Sequence, residues 1–142
     1  MRAVFDTNIV VSALLWAGAP FRALDAAIEG KIDLIASETL LTELRSVLAR
    51  PKFSPRMAAI NQTVDELLGD YRALVEVVEP ARTEPVVLDD PTDDAVLACA
   101  VGGEADCIVS GDDHLIALGA YAGIPIWDVH RFLEEVLSST GS

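Results

Sequence analysis

The sequence predicts a single α/β domain in which helices cover both faces of a mostly parallel sheet. Short apolar runs at 3–5, 32–36 and 106–110 have the length and composition of buried strands. Longer segments between them place apolar residues every three or four positions, which is typical of amphipathic helices. This alternation of strand and helix favours parallel strands joined by helical crossovers.

The complete prediction follows the chain in order. Strands are expected at 3–5, 32–36, 75–78, 106–110 and 124–127, and residues 81–88 are expected to form a loop, with a short edge strand at 86–88 as the alternative. Helices are expected at 9–16, 21–29, 39–49, 61–73 (with 63 as the alternative start), 91–101, 114–118 and 129–137. The domain then covers residues 1–137, and 138–142 form a flexible tail.

Glycine and proline set most of these boundaries. Gly30 ends the second helix, Pro51 ends the third, and Gly102 with Gly103 stops the fifth. Pro125 suggests that the last strand lies at a sheet edge, since proline cannot donate to a strand ladder.

Composition narrows the class of protein. The chain has 142 residues, of which 51% are hydrophobic, enough for one sizeable core. No apolar run approaches the ~20 residues that a membrane helix needs, and Arg2 followed by Asp6 does not fit a secretory signal. We therefore expect a cytoplasmic protein without membrane association.

Cys99 and Cys107 lack a second Cys or a His at metal-ligand spacing, so we expect two buried thiols.

Four acids occupy distinctive positions. Asp6 and Asp112 each follow a strand and precede a helix. Glu43 borders the apolar stripe of its helix. Asp94 lies in the first turn of another helix, on the face that points into the protein. Strand ends and helix starts share one edge of a parallel sheet, so the four carboxylates are expected to converge there. Oxygen ligands alone favour Mg²⁺ or Mn²⁺. Each acid also has a structural alternative, as a helix cap, an exposed helix residue or a partner of the helix dipole.

The charge is unevenly distributed. The net charge is −13, which opposes general nucleic-acid binding and suits a basic protein partner or a divalent metal. The segment between Leu44 and Val64 nevertheless contains bases and no acid. We expect Arg50, Lys52 and Arg56 to lie beside the acidic edge and to contact the phosphates of a nucleic acid. The alternative is a solubilising loop.

These residues together resemble the PIN-domain nucleases. The motif Asp6-Thr7-Asn8, Glu43 in a mid-chain helix, Asp94 before Leu97-Ala98, and Ser110-Gly111-Asp112 follow the order and spacing of that family. The resemblance is closest to the bacterial branch of toxin components in toxin–antitoxin pairs, related to VapC-type toxins, and Arg50-Pro51-Lys52-Phe53 is similar to a short motif of that branch.

The resemblance implies a three-layer α/β/α fold with about five strands, and Mg²⁺- or Mn²⁺-dependent cleavage of single-stranded RNA. It makes Asp6, Glu43, Asp94 and Asp112 the metal ligands and catalytic acids. Asn8 would help to arrange the first acid, and Ser110 would lie near the fourth. Asp93 competes with Asp94 as a ligand, and His114, where the branch often has an acid, leaves open whether one metal or two are bound.

Partners follow from the same resemblance. It implies an RNA substrate, a cognate antitoxin protein and a homodimer. The alternative is a non-catalytic PIN-fold module that binds RNA or protein. A dehalogenase-type phosphatase would need a second Asp at Asn8, and a response-regulator receiver would need a Lys late in the chain, where the last one is Lys52.

Overall fold

Six strands form one sheet in the computed structural model, which describes residues 1–82 and 91–140, without the side chains of 91–93 and 138–140. They are β1 (Arg2–Phe5), β2 (Asp33–Ala36), β3 (Glu76–Val77), β4 (Cys107–Val109), β5 (Ala120–Tyr121) and β6 (Ile124–Trp127). Their order is β3-β2-β1-β4-β6-β5. Every pairing is parallel except that of β5 with β6, so the carboxyl ends of β1, β2 and β4 share one edge.

The helices join and cover these strands. They are α1 (Thr7–Leu15), α2 (Ala19–Ile28), α3 (Glu38–Leu48), α4 (Ser54–Ala59), α5 (Val64–Leu74), α6 (Pro91–Gly102), α7 (Asp113–Leu118) and α8 (Val129–Thr140). A short 3-10 helix at Pro51–Phe53 precedes α4. Within the described residues no single helix is long and apolar enough to cross a membrane, and α1 with α2 reaches that length only as a pair bent by 90°.

The strand period of two divides the core into two layers. Ala3 and Phe5 of β1 face a cluster formed with α1, α2, α3, α5 and α8, and the ring of Phe5 meets that of Phe132 edge to face at 5.4 Å. Val4 faces the opposite side, where it packs with α6 and α7. The sheet thus lies between two helical layers, which confirms the predicted α/β/α class.

Local sequence explains where several elements begin and end. Ser37 accepts a hydrogen bond from the Leu40 N–H at 3.2 Å and so caps α3. Thr63 and Glu66 form a reciprocal capping box at the start of α5. At the end of α6, a Cβ on Gly102 would collide with the carbonyl oxygen of Glu79. Only glycine therefore permits the close approach of the segment that follows β3.

The structure differs from the prediction in three details of the described chain. The sheet has six strands because the two-residue β5 adds to the five expected. As a result, β6 lies between β4 and β5 and is not at an edge. Pro125 is tolerated because β6 pairs with β4 only from Ile126 onward, so the missing N–H removes no bond of that ladder. The 3-10 helix and α4 were not predicted.

Other sequence expectations have different outcomes. Cys99 and Cys107 are both fully buried, as expected. Helix α8 continues to Thr140, three residues beyond its predicted end, into the segment assigned to the tail. The possible strand at 86–88 lies outside the described residues, as do residues 141–142.

Candidate active site

Asp6 stands at the carboxyl end of β1, directly before α1. It occupies the N-cap position of α1, yet its side chain makes no capping hydrogen bond. The residue is only 3% exposed. Its backbone is tied into the sheet edge, since its N–H donates to the Val109 carbonyl of β4 at 2.9 Å. The carboxylate is therefore held at the strand end for interactions other than capping.

Ser110 links Asp6 to Asp112. The Ser110 hydroxyl donates to Oδ2 of Asp6 at 2.8 Å and accepts from the N–H of Asp112 at 2.9 Å. Ser110 is fully buried, and its own N–H donates to the Trp127 carbonyl of β6 at 3.0 Å. One hydroxyl thus joins the carboxyl ends of two adjacent parallel strands. The structure brings together Asp6, Ser110 and Asp112, three of the residues that the sequence analysis named.

The carboxylate of Asp112 caps a helix and is partly exposed. Its Oδ1 accepts a hydrogen bond from the His114 N–H at 2.8 Å, so it caps the short helix α7. Its side chain is only half-buried, unlike that of Asp6. The cap fixes the direction of the carboxylate while part of it stays open to solvent.

Glu43 and Asp94 lie on neighbouring helices, α3 and α6. Both are half-buried. Leu40, one turn before Glu43, and Leu97, one turn after Asp94, belong to the same core cluster. The two helices therefore face each other, with Glu43 in the middle of α3 and Asp94 in the first turn of α6.

The described residues contain no group of three or more Asp, Glu, His or Cys side chains arranged to hold a metal ion. The convergence of all four acids stays a prediction. Asn8 is exposed in the first turn of α1, and the side chain of Asp93 lies outside the described residues. The choice between Asp93 and Asp94 as a ligand is therefore not decided by this geometry.

A further acid near this edge is used for structure. Glu38, the first residue of α3, pairs through both carboxylate oxygens with Arg72 of α5, at 2.7 and 2.9 Å. These hydrogen bonds are the main cause of the lowered pKa of Glu38. The pair fixes the end of α5 against the start of α3.

The basic residues do not lie beside the acidic edge as expected. Arg50 and Lys52 are exposed, and Nε of Arg56 donates to the carbonyl of Leu15 at 2.6 Å. Leu15 ends α1, whereas Asp6 stands at its start, so Arg56 is separated from Asp6 by about 14 Å of helix. The eleven residues of α3 carry the chain away from the edge before Arg50 is reached.

Sequence reasoning missed one residue of this region, Trp16. It follows α1 and remains 43% exposed while it contacts Phe53 and Arg56. A tryptophan at the end of an otherwise buried helix was the available signal, and its significance depends on contacts with a segment about forty residues away.

A comparison with known proteins places these features in context. A family model described as PIN domain matches residues 2–114, most of the chain. The matched region begins with β1, ends within α7 and includes Asp6, Glu43, Asp94 and Asp112. No curated protein and no solved structure matches the chain.

Proposed function

The chain belongs to the PIN domain family, whose members are typically metal-dependent nucleases, and from this membership we propose that it is an endoribonuclease that cleaves single-stranded RNA. We further propose that it is the toxin of a toxin–antitoxin pair, that it acts as a homodimer and that an antitoxin protein inhibits it. The branch resemblance supports these finer statements.

The observation that carries the nuclease proposal is the buried carboxylate of Asp6. Burial of a charged carboxylate is costly unless hydrogen bonds or cations compensate it. Protein stability alone would favour an apolar residue at this strand end, or a side chain that caps α1. Instead Asp6 is 3% exposed, does not cap the helix and is oriented by Ser110.

The donor chemistry of these residues fits a hard divalent cation. Asp6 and Asp112 offer only carboxylate oxygens, which suit Mg²⁺ or Mn²⁺. The hydroxyl of Ser110 donates to the carboxylate of Asp6 and accepts from the backbone N–H of Asp112. These two bonds fix the positions of the two residues relative to each other. Ligands that are oriented by neighbouring groups bind metal more tightly than freely rotating ones.

The proposed roles follow from this arrangement. When bound, the cation would lower the pKa of the attacking water and stabilise charge at the phosphate. Asp6 and Asp112 would hold the cation, with Glu43 and Asp94 as the remaining ligands. One of these carboxylates, or Asp93, accepts the proton of the water.

The test is RNA cleavage by the purified protein. Labelled single-stranded RNA should be cut in Mn²⁺ or Mg²⁺ and left intact in EDTA. Asp6→Asn and Asp112→Asn should each reduce the cleavage rate by at least about 100-fold, since loss even of an outer-shell partner typically costs 10- to 100-fold. Circular dichroism verifies that both variants remain folded.

The matched control is Asp70→Asn, an exposed acid of α5 that should leave cleavage unchanged. Full activity in Asp6→Asn or Asp112→Asn would remove that residue from the ligand set. Tight RNA binding without any cleavage would favour the non-catalytic module. For the toxin role, co-expression with the product of a small neighbouring gene should suppress both the activity and any growth defect.

A further inference from the structure

Four side chains from separate parts of the chain form one patch on the surface. Trp16 follows α1, Lys52 and Phe53 come from the 3-10 helix, and Arg56 comes from α4. The indole of Trp16 meets the ring of Phe53 at a centroid distance of 6.0 Å and an interplanar angle of 64°. Lys52 Nζ lies 5.1 Å from the Phe53 centroid, and Arg56 Cζ lies 5.8 Å from the Trp16 centroid. We refer to these four residues as the aromatic–basic patch.

Contacts with α1 and with the core hold the patch in place. The guanidinium of Arg56 is anchored by its 2.6 Å hydrogen bond to the last carbonyl of α1, and Met57 is buried in the core directly after it. Phe53 is half-buried and braces Trp16 from the side. Even with both contacts, 43% of Trp16 remains exposed. The indole is thus both fixed and accessible, which is the condition for stacking a planar ligand.

Charge distinguishes this patch from the remainder of the protein. The net charge of the chain is −13. In the part of the chain that the structure describes, Arg50, Lys52 and Arg56 make no ion pair with a carboxylate. Carboxylates do pair with the following bases: Arg2, Lys31, Arg45, Arg72 and Arg131. Arg22 and Arg82 likewise show no ion pair among the described residues, so three of the five uncompensated cations come from the short segment that supplies most of the patch.

An exposed aromatic ring next to unpaired cations is the arrangement that binds single-stranded nucleic acid. Bases in a duplex stack on each other, whereas a single strand can place a base on a protein ring and its phosphates on nearby cations. We propose that Trp16 stacks on a base of the single-stranded RNA substrate while Arg50 and Lys52 hold the flanking phosphates. This inference rests on the proposed function, which supplies the substrate.

The patch would act at a distance from the cleaved bond. Trp16 stands ten residues after Asp6, at the other end of the same helix, so about 15 Å of α1 separates the two. The stacked base is therefore a few nucleotides away from the phosphate at the acids. Such a contact would set the direction of the strand and the minimum length of a good substrate, with no part in the chemical step.

Tryptophan fluorescence tests the stacking directly. Trp127→Phe leaves Trp16 as the single tryptophan, since the chain has two. In EDTA, where no cleavage occurs, a short oligouridylate should quench the Trp16 emission, and a base-free ribose-phosphate oligomer of equal charge should not. Quenching by both oligomers alike, or by neither while anisotropy shows bound RNA, would overturn the proposal.

Affinity measurements provide the second arm. Trp16→Ala should weaken oligouridylate binding roughly 5- to 150-fold, the range for loss of one stacked base, and Trp16→Phe should recover most of the affinity. Phe21→Ala is the matched control because Phe21 is also 43% exposed but lies on α2, outside the patch. Its affinity should be unchanged.

The outcomes separate the two proposals. If Trp16→Ala binds RNA as tightly as the unsubstituted protein and cleavage persists, the stacking proposal fails and the nuclease proposal stands. The patch then only packs α4 against α1. If the unsubstituted protein neither binds nor cleaves RNA, both proposals fail. Because the fluorescence arm leaves Trp16 in place, it decides the question even if Trp16→Ala does not fold.

Discussion

Replacement of Ser110 by alanine tests the link between Asp6 and Asp112. The substitution removes a hydroxyl that is fully buried, that donates to a carboxylate at 2.8 Å and that accepts from a backbone N–H at 2.9 Å. A hydrogen bond to a charged group contributes about 1.5–3 kcal/mol to the free energy of unfolding, and a neutral one about 1 kcal/mol. Since Asp112 is half-buried, water can replace part of the second bond, and we expect a total loss of about 2–3 kcal/mol.

Ser37→Ala is the matched control. Ser37 is also fully buried and also accepts from a backbone N–H as the cap of α3, but its other side-chain partner is the Cys99 thiol and not a carboxylate. Loss of such a cap costs about 1 kcal/mol. Equilibrium unfolding in urea, followed by far-ultraviolet circular dichroism, measures both variants without metal.

Metal adds an independent readout for the same substitution. A ligand that binds only the folded state at 100 times its Kd stabilises that state by about 2.7 kcal/mol. Loss of an orienting partner weakens metal binding by about 10- to 100-fold. Ser110→Ala should therefore lose most of the Mn²⁺ stabilisation, whereas Ser37→Ala should keep it. If both variants lost equal stability and kept equal Mn²⁺ responses, Ser110 would be an ordinary buried serine.

Three further predictions follow from other parts of the structure. Asp94→Asn should raise the metal-free melting temperature and reduce the Mn²⁺-induced increase, because it removes a like charge and a ligand together; Asp93→Asn should do neither, and the reverse pattern would exchange their roles. Gly102→Ala should cost about 1–3 kcal/mol or more in urea unfolding because its Cβ meets backbone, whereas Gly69→Ala, with open space around it in α5, should stabilise by up to about 1 kcal/mol. The pKa of Glu38 is lower in the folded protein than its unfolded value of about 4.3, so its ion pair with Arg72 stabilises the folded state at pH values above that unfolded value. This stabilisation is lost as the pH falls through the folded-state pKa of Glu38. The stability deficit of Glu38→Gln should therefore be present at neutral pH and vanish in acid; a deficit independent of pH would contradict this.

The repeating pattern of apolar residues was sufficient to locate most elements. Helix α3 was predicted at 39–49 and spans Glu38–Leu48, because its stripe of leucines and its serine cap agree on one boundary. The parallel arrangement followed from the alternation alone. It correctly placed Asp6 and Asp112 at the same sheet edge, since neighbouring parallel strands end together.

What could not be predicted depends on contacts between distant residues. The hydrogen bond between Ser110 and Asp6 spans 104 positions, and the sequence could suggest only that both lie at the edge. Helix α4 was missed because Pro51 was interpreted only as the end of the preceding helix, although proline is also favoured in the first turn of a helix, where Pro55 lies in α4. The basic segment was predicted to lie beside the acids only because its positive charge complements theirs. The bond from Arg56 to the end of α1 shows the opposite placement.

Helix α1 connects the two proposed sites, and its packing explains why they keep a fixed separation. It is apolar almost all round, with buried residues on several faces, so it can neither slide nor rotate within the core without exposing apolar surface. The acidic site at its start repels RNA phosphates unless a cation is bound, whereas the patch near its end attracts them without one. RNA would therefore contact the patch first and reach Asp6 only when metal compensates the acids. On this argument RNA affinity in EDTA depends on Lys52 and Trp16, and cleavage depends on Asp6 and Asp112, so the two sets of variants should separate binding from chemistry.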